Sequence, residues 1–346
     1  MTKIRVLIVD DSAIVRKLLS EALSEEMDLE VVGTAPDPFV ARDKILALQP
    51  DVLTLDIEMP RMDGLTFLKK LMHYKPMPVV VISSLGQAGC QAALEALRLG
   101  AVEVLAKPGG PYSVGELRVD LAAKIRAAGS ARLQRSPEAA PARAEPPPPP
   151  AFDPATVIAI GASTGGTEAI QAVLAGLPAN GPGILITQHI PPVFSRAFAN
   201  RLNEVCPMEV KEAQDGDTLA RGRALVAPGS LHTLLRKSPG GGFRVTVQDG
   251  PRVCYQKPSV DVMFSSVAEA AGSRAVGVLL TGMGSDGARG LLKMKQAGAH
   301  TIAQDEASCI VFGMPKEAIR LGAADQVAAL SRIPAAVLGQ LGRNGR

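Results

Sequence analysis

Ser163 stands where a nucleophile could stand. It lies in TVIAIGASTGGTEAI, Thr156 to Ile170, where an apolar, β-branched run stops at Gly161 and a helix-like stretch follows Gly165 and Gly166. A serine at such a strand–turn–helix junction can expose its hydroxyl at the carboxyl edge of a sheet. Helix N–H groups without intrahelical partners can then stabilise an oxyanion. Gly161, Ser163 and Gly165 fit G-x-S-x-G, so the chemistry this segment suggests is acyl transfer through a serine ester. Two other uses of the same residues compete with it. A serine ahead of a helix commonly serves as its N-cap. A phosphate loop is the weaker rival, because the segment matches neither G-x-G-x-x-G nor Gly-Lys-Ser/Thr.

A serine nucleophile needs a base, and the chain has four histidines: His73, His189, His232 and His300. His189 closes the apolar run GILITQ, which puts it at the same edge as Ser163 if the strands are parallel. His73 falls in a helical stretch and reads as a surface residue, His232 sits near an irregular loop, and His300 begins a strand at the opposite edge. The third member should be a carboxylate that fixes the imidazole tautomer and stabilises its charged form. Asp286, between VGVLLTGMGS and GARGLLKMKQAG, again occupies a turn between strand and helix. Asp261 in PSVDVMF is its rival, but reads as part of a helix start, where acidic residues are favoured. The chain order Ser163, His189, Asp286 differs from the Ser, Asp, His order of α/β-hydrolases, so that fold is not inferred.

A second constellation lies in the first half. Asp10 and Asp11 close one apolar run and Asp56 another; Ser83 and Lys107 close two more. In a sheet wound outward from its first strand, the two acidic strand ends are neighbours. Three converging carboxylates are costly unless a cation neutralises them, and Mg²⁺ with oxygen ligands suits them. A carboxylate nucleophile, a metal, a hydroxyl and an ammonium are the parts of phosphoryl transfer to an aspartate. Aspartates at strand ends can also merely cap helices and turns, but five strand-terminal positions with this complement favour the chemical reading.

The elements that must position these groups alternate along the chain. KIRVLIVD, LEVVGT, DVLTLD, PVVVIS and VEVLA are separated by helix-like stretches near residues 13–24, 37–48, 65–72, 89–99 and 115–127. Near-continuous apolar strands alternating with helices predict a parallel sheet wrapped on both faces. The second half alternates similarly through TVIAI, ILITQ, ALVAP, AVGVLLTG and HTIAQ, with a β-hairpin around residues 231–256 added to a mostly parallel sheet. The predicted fold is therefore α/β, with two doubly wound, mostly parallel-sheet domains. Residues 130–150 lack large apolar side chains apart from one leucine and end in five prolines, so they should form an extended, semi-rigid connector. The boundaries expected are 1–128, a linker over 129–153, and 154–346.

Composition narrows the function classes. Aromatics make up 3% with no Trp, and the formal net charge is +3, so neither base-stacking surfaces nor a basic footprint for nucleic acid is indicated. Four dispersed cysteines (Cys90, Cys206, Cys254, Cys309) support neither a zinc site nor a disulfide framework. The N-terminal residues do not read as a signal peptide, and no stretch approaches the ~18 apolar residues of a membrane span. A cytoplasmic protein without direct membrane insertion is expected.

Over about residues 3–127 the chain resembles the receiver domain of bacterial response regulators, through VDDS (Asp10, Asp11), DIEMPRMDGL (Asp56 to Leu65), Ser83 and AKP (Lys107, Pro108). The resemblance implies that Asp56 accepts a phosphoryl group, that Asp11 and Asp56 ligate Mg²⁺, and that Asp10 helps through water. It further implies that Glu58 lends a backbone carbonyl and that Ser83 and Lys107 sense the phosphoryl oxygens. Many receivers carry an aromatic residue three places before the lysine; here that residue is Val104, which argues against signalling by aromatic rotation.

IAIGASTGG, TQHIP, VAPGSLH, PSVDVMF, LLTGMGSDGA, IAQDE and VFGMPKEA resemble the effector domain of chemotaxis protein-glutamate methylesterases. That resemblance implies Ser163 as nucleophile, His189 as base and then acid, Asp286 as its orienting partner, and the backbone N–H groups of Thr164 and Met283 as oxyanion donors. No cofactor is implied in the esterase site. The implied reaction hydrolyses glutamate γ-methyl esters on cytoplasmic domains of methyl-accepting chemoreceptors, releasing methanol, and the same acyl-enzyme chemistry would allow glutamine deamidation. A chemotaxis histidine kinase would be the phosphodonor, and the unphosphorylated receiver would cover the Ser163 site. A response regulator whose second domain only binds, with Ser163 as a helix cap, is the alternative that a Ser163→Ala protein discriminates.

Overall fold

A computed structural model of the 346-residue chain describes residues 3–84, 86–107, 114–133, 153 and 155–344. Most of the expected connector, 134–152, and Pro108 lie outside the described residues. The chain divides into two compact units, Met1–Ser136 and Pro137–Arg346.

The first unit alternates strand and helix: β1 (Ile4–Val9), α1 (Ala13–Ser24), β2 (Leu29–Ala35), α2 (Pro38–Leu48), β3 (Val52–Asp56), α3 (Gly64–Tyr74), β4 (Val79–Ser83), α4 (Gln87–Arg98), β5 (Glu103–Ala106) and α5 (Val114–Gly129). All five strands pair in parallel in the order β2-β1-β3-β4-β5. β3 and β4 are buried along their whole length, which is why their sequences are apolar without alternation. Capping side chains start the helices. Ser12 accepts from the Val15 N–H at 3.4 Å, Asp37 from Phe39 and Val40 at 2.8 and 3.0 Å, and Asp63 from Thr66 at 2.8 Å. α1 packs with α5 and α3 with α4, as right-handed crossovers on opposite faces require.

The second unit contains β6 (Val157–Ala162), α6 (Gly166–Ala175), β7 (Gly183–Gln188), α7 (Pro192–Val205), β8 (Glu209–Glu212), β9 (Arg223–Val226), β10 (His232–Lys237) and β11 (Phe243–Gln248). It continues with α8 (Val260–Ala271), β12 (Ala275–Leu279), α9 (Ala288–Gln296), β13 (His300–Gln304), α10 (Met314–Arg320), β14 (Gln326–Ala328) and α11 (Ile333–Asn344). Its seven-stranded sheet has the order β14-β13-β12-β6-β7-β9-β8, and every pairing is parallel. The hairpin β10–β11 is present but stands apart as a two-stranded antiparallel sheet. It packs on α8, with Leu235, Phe243 and Val245 sharing a core with Met263, Phe264 and Val267. α8 is buried on several sides because it lies between this hairpin and the strands β6 and β7.

Both sheets contain a point where the chain reverses its direction of winding. β1 is followed by β2 on one side and flanked by β3 on the other; β6 is followed by β7 on one side and flanked by β12 on the other. Connections diverge at the carboxyl ends of such strands and leave a crevice, where α/β folds place their sites.

Candidate functional site

In the first unit Asp10 follows β1 and Asp56 ends β3, and these strands are paired. Ligand oxygens of Asp10, Asp11 and Asp56 all lie within 4.8 Å of one another. The Lys107 ammonium, just past β5, donates to Asp56 Oδ2 at 2.7 Å, and the Glu58 N–H donates to Asp56 Oδ1 at 3.0 Å. Asp10 Oδ1 accepts from the Ser12 N–H at 2.8 Å, while its Oδ2 is buried without a partner among the described residues. Burial first, then the charge of Asp56, raises the Asp10 pKa to about 6 despite the Ser12 and Lys107 contributions. Burial also raises Asp56, against the opposing pull of Lys107. Burial works against the Lys107 ammonium, yet its bond to Asp56 holds its pKa above the ordinary lysine value. One lysine thus leaves the carboxylates under-neutralised.

Ser83, at the end of β4, is fully buried, and its hydroxyl donates to the Gly89 carbonyl in the first turn of α4 at 2.9 Å. Neighbouring Ser84 donates to Glu58 Oε1 at 2.6 Å. Val104 is buried within β5.

In the second unit Ser163 follows β6 directly, but it does not cap α6. The N-cap is Gly165, whose φ of +75° suits glycine, and no side chain caps that helix. A Cβ on Gly166 would lie 2.6 Å from the immobile Ala162 Cβ and 2.0 Å from Gln188 Oε1, so the turn closes only on glycine. The Ser163 N–H donates to the Thr281 carbonyl at 3.0 Å, tying the turn to the end of β12. The Thr281 hydroxyl donates to the Thr164 carbonyl at 3.0 Å, and Gln188 Nε2 donates to the Ser163 carbonyl at 2.8 Å. Neither the Thr164 N–H nor the Met283 N–H has a protein acceptor among the described residues.

His189 follows β7, and its backbone N–H donates to the Ala162 carbonyl at 3.1 Å, placing it beside the serine turn. Its Nε2 is 2.8 Å from Asp286 Oδ2, whereas its Nδ1 is buried without a partner among the described residues. Because a carboxylate only accepts, Nε2 carries the proton and Nδ1 keeps a lone pair, the arrangement of a base. No hydrogen bond joins Ser163 Oγ to His189 among the described residues; the serine is adjacent and uncommitted.

Asp286 is 2% exposed and accepts three further bonds. Ser259 Oγ and the Asp261 N–H donate to Oδ1 at 2.8 and 3.0 Å, and the Val260 N–H donates to Oδ2 at 2.7 Å. These are the cap and first turn of α8, where unpaired N–H groups and the helix dipole favour an anion. Burial opposes ionisation of Asp286, but its bond to and the charge of His189, then the Asp261 N–H and Ser259 hydroxyl, hold its pKa below the usual carboxylate value. Asp261 is not bonded to His189. It sits in the first turn of α8, accepts from the Gly290 N–H at 2.6 Å, and is raised in pKa chiefly by burial.

Of the other histidines, His73 is exposed on α3 and His300 starts β13 at the amino edge. His232 is the first residue of β10, in the expected hairpin arm and next to a loop, and is buried close to Ser259. Ser259, Gln188 and Thr281 were not singled out by sequence reasoning. Ser259 carries a helix-start signal, a serine before VDVMF, but nothing local says that its hydroxyl serves an aspartate 27 residues away.

A parallel α/β unit with an acidic edge, followed by a second with serine, histidine and aspartate at one crevice, is a two-unit α/β protein carrying the groups of a serine hydrolase. Residues 158–337 match the family model for the CheB methylesterase, and residues 6–116 match that for the response regulator receiver domain. A protein of Syntrophus aciditrophicus named protein-glutamate methylesterase/protein-glutamine glutaminase 2 is 56% identical, over 96% of this chain and 98% of its own. A protein of Salmonella choleraesuis named protein-glutamate methylesterase/protein-glutamine glutaminase is 52% identical, over 99% and 98%. The crystal structure of the Thermotoga maritima CheB methylesterase catalytic domain superposes with a TM-score of 0.52 at 36% identity, covering 53% of this chain and 97% of that one. The chain belongs to the CheB methylesterase family and carries a receiver domain.

Proposed function

We propose that the chain is a phosphorylation-activated serine hydrolase of glutamate γ-methyl esters on cytoplasmic chemoreceptor domains, and of the corresponding glutamine amides. The observation that carries this reading is the His189–Asp286 bond of 2.8 Å with Nδ1 left free beside the serine turn. His189 takes the Ser163 proton as the hydroxyl attacks the ester carbonyl. The N–H groups of Thr164 and Met283, which lack protein acceptors among the described residues, receive the developing oxyanion. His189 returns the proton to the departing methoxide, giving methanol, or to the departing amine of an amide, giving ammonia. Water activated by the same nitrogen then releases glutamate. Asp286 holds the imidazole in register throughout and stabilises its charged form.

Asp56 is the proposed phosphoryl acceptor from a chemotaxis histidine kinase, with Ser83 and Lys107 contacting the phosphoryl oxygens. The unpartnered Asp10 Oδ2 and the three convergent carboxylates fit a hard divalent cation. Asp10, Asp11, Asp56 and the Glu58 backbone carbonyl would hold Mg²⁺, which when bound neutralises carboxylate and phosphoryl charge. The proposed organisation is a receiver over 1–128, a linker over 129–153 and a hydrolase over 154–346, acting in the cytoplasm. Among the described residues no helix is long and apolar enough to cross a membrane.

The test is methanol release from methylated receptor membranes with Mg²⁺ and a small phosphodonor. Wild type should release methanol and a folded Ser163→Ala protein should not. Equal release by both would remove Ser163 from the chemistry and favour a binding-only second domain.

A further inference from the structure

The hairpin β10–β11 lies outside the main sheet, yet it delivers a buried histidine to the back of the catalytic acid. His232, at the base of β10, is 4% exposed and uses both ring nitrogens. Nε2 lies 2.9 Å from the Pro251 carbonyl, which can only accept, so Nε2 bears the proton. Nδ1 therefore presents a lone pair, and the Ser259 backbone N–H donates to it at 3.2 Å. Ser259 is itself 1% exposed and is the N-cap of α8. Its Oγ accepts from the Val262 N–H at 3.3 Å, which leaves its one proton for Asp286 Oδ1 at 2.8 Å. A second bond, from the Leu235 N–H to Ser266 Oγ at 2.9 Å, ties the same hairpin to the next turn of α8.

We propose that His232 and Ser259 are positioning residues of the hydrolase: the hairpin, through His232, fixes the α8 cap so that Ser259 and the Val260 and Asp261 N–H groups hold Asp286 in register with His189. A histidine that only filled the hairpin base could bond any acceptor with either nitrogen. Here one nitrogen is spent on the residue that, among the described residues, joins His189 in donating from its side chain to the catalytic acid. The inference rests on the reading of Ser163, His189 and Asp286 given above.

Two pairs of substitutions in the full chain test it, each with folding checked by thermal unfolding. Ser259→Ala removes the donor to Asp286, whereas Ser259→Thr keeps hydroxyl and cap. Asparagine at 232 places an oxygen acceptor near the position of Nδ1; glutamine reaches toward the position of Nε2. The expected result is a fall in kcat of about tenfold or more for Ser259→Ala with KM unchanged, and near-recovery in Ser259→Thr. His232→Asn should retain more kcat than His232→Gln, which decides the matter even if Ser259→Ala fails to fold. The downfield proton NMR resonance of His189 Nε2–H, read without substrate, should shift in Ser259→Ala and His232→Gln and stay near its wild-type position in Ser259→Thr. Unchanged kcat and an unmoved resonance in folded variants would overturn the inference, as would equal losses within each pair. A wild-type protein that released no methanol would count against the proposed function instead, and the resonance would still decide this one.

Discussion

The two sheet edges solve opposite electrostatic problems with the same architecture. At the first, Asp10 and Asp56 are buried beside each other with one lysine, and both carboxyls are harder to ionise than usual. At the second, Asp286 also has a buried carboxyl beside it, that of Asp261, yet it receives four hydrogen bonds, from His189, Ser259, Val260 and Asp261, and ionises more readily than usual, while Asp261 is harder to ionise. The first site is short of positive charge and suits a group that must admit a cation and then a phosphoryl group. The second is saturated, which suits an acid whose task is to stay charged and stationary while protons move on its neighbour. The burial that keeps one site poised for a ligand makes the other rigid, and the difference lies in who supplies the donors. A helix N-terminus supplies them for Asp286. For Asp10, one oxygen is left with none.

The largest losses should follow removal of the reacting groups themselves. Ser163→Ala or His189→Ala should lower methanol release by at least about a thousandfold, as for other members of such constellations. Asp286→Asn should cost about a hundredfold or more in kcat, because the amide cannot stabilise the imidazolium and presents a donor to donors. The same variant sharpens the charge argument through acid unfolding. The depressed pKa of Asp286 means that its stabilisation is complete above the ordinary carboxylate pKa of 3.8 and is lost as pH falls through the lower folded value. Unfolding curves of the hydrolase unit below that pH should therefore be steeper for wild type than for Asp286→Asn.

At the other edge, Asp56→Asn should abolish stimulation by a small phosphodonor while leaving unstimulated methanol release in place. The smallest effect belongs to Asp10. Its folded pKa of about 6 lies above the ordinary 3.8, so the stability it contributes is full at low pH and is lost as pH rises through about 6. Without Mg²⁺, Asp10→Asn should raise the melting temperature of the receiver by a few degrees at pH 7 and by less at pH 4. Mg²⁺ should stabilise wild type more than the variant. A variant less stable than wild type at pH 7 in the absence of metal would mean that the acidic edge is not under-neutralised.

Much of this arrangement was legible before any coordinates, for reasons that differ between residues. The buried strands announce themselves because a strand covered on both faces has no polar side to display: VLTLD and VVVIS can hardly be read otherwise. The positions of Asp10, Asp56, Ser83, Lys107, Ser163 and His189 follow, since each sits at or just past a strand end. The edge strands β8 and β14 were not readable. EVKE has one apolar residue among its four and QVA is three residues long, and neither carries periodicity. The hairpin was readable as a hairpin, but its place on α8 instead of in the sheet depends on packing among residues far apart in sequence. The roles of Ser259 and His232 share that limit. Both act through contacts spanning 27 residues, and no local pattern encodes which carboxylate or amide will lie at that distance.

One turn has a consequence on a slower timescale. Three residues of the Ser163 turn place their amide hydrogens in three different circumstances: the Ser163 N–H is donated to Thr281, the Gly166 N–H to the Ser163 carbonyl at 2.7 Å, and the Thr164 N–H between them to no atom of the described residues. In deuterated water the Ser163 and Gly166 amides should persist and the Thr164 amide should wash out early. Slowing of that single amide by a bound transition-state mimic would then report when the oxyanion position is filled.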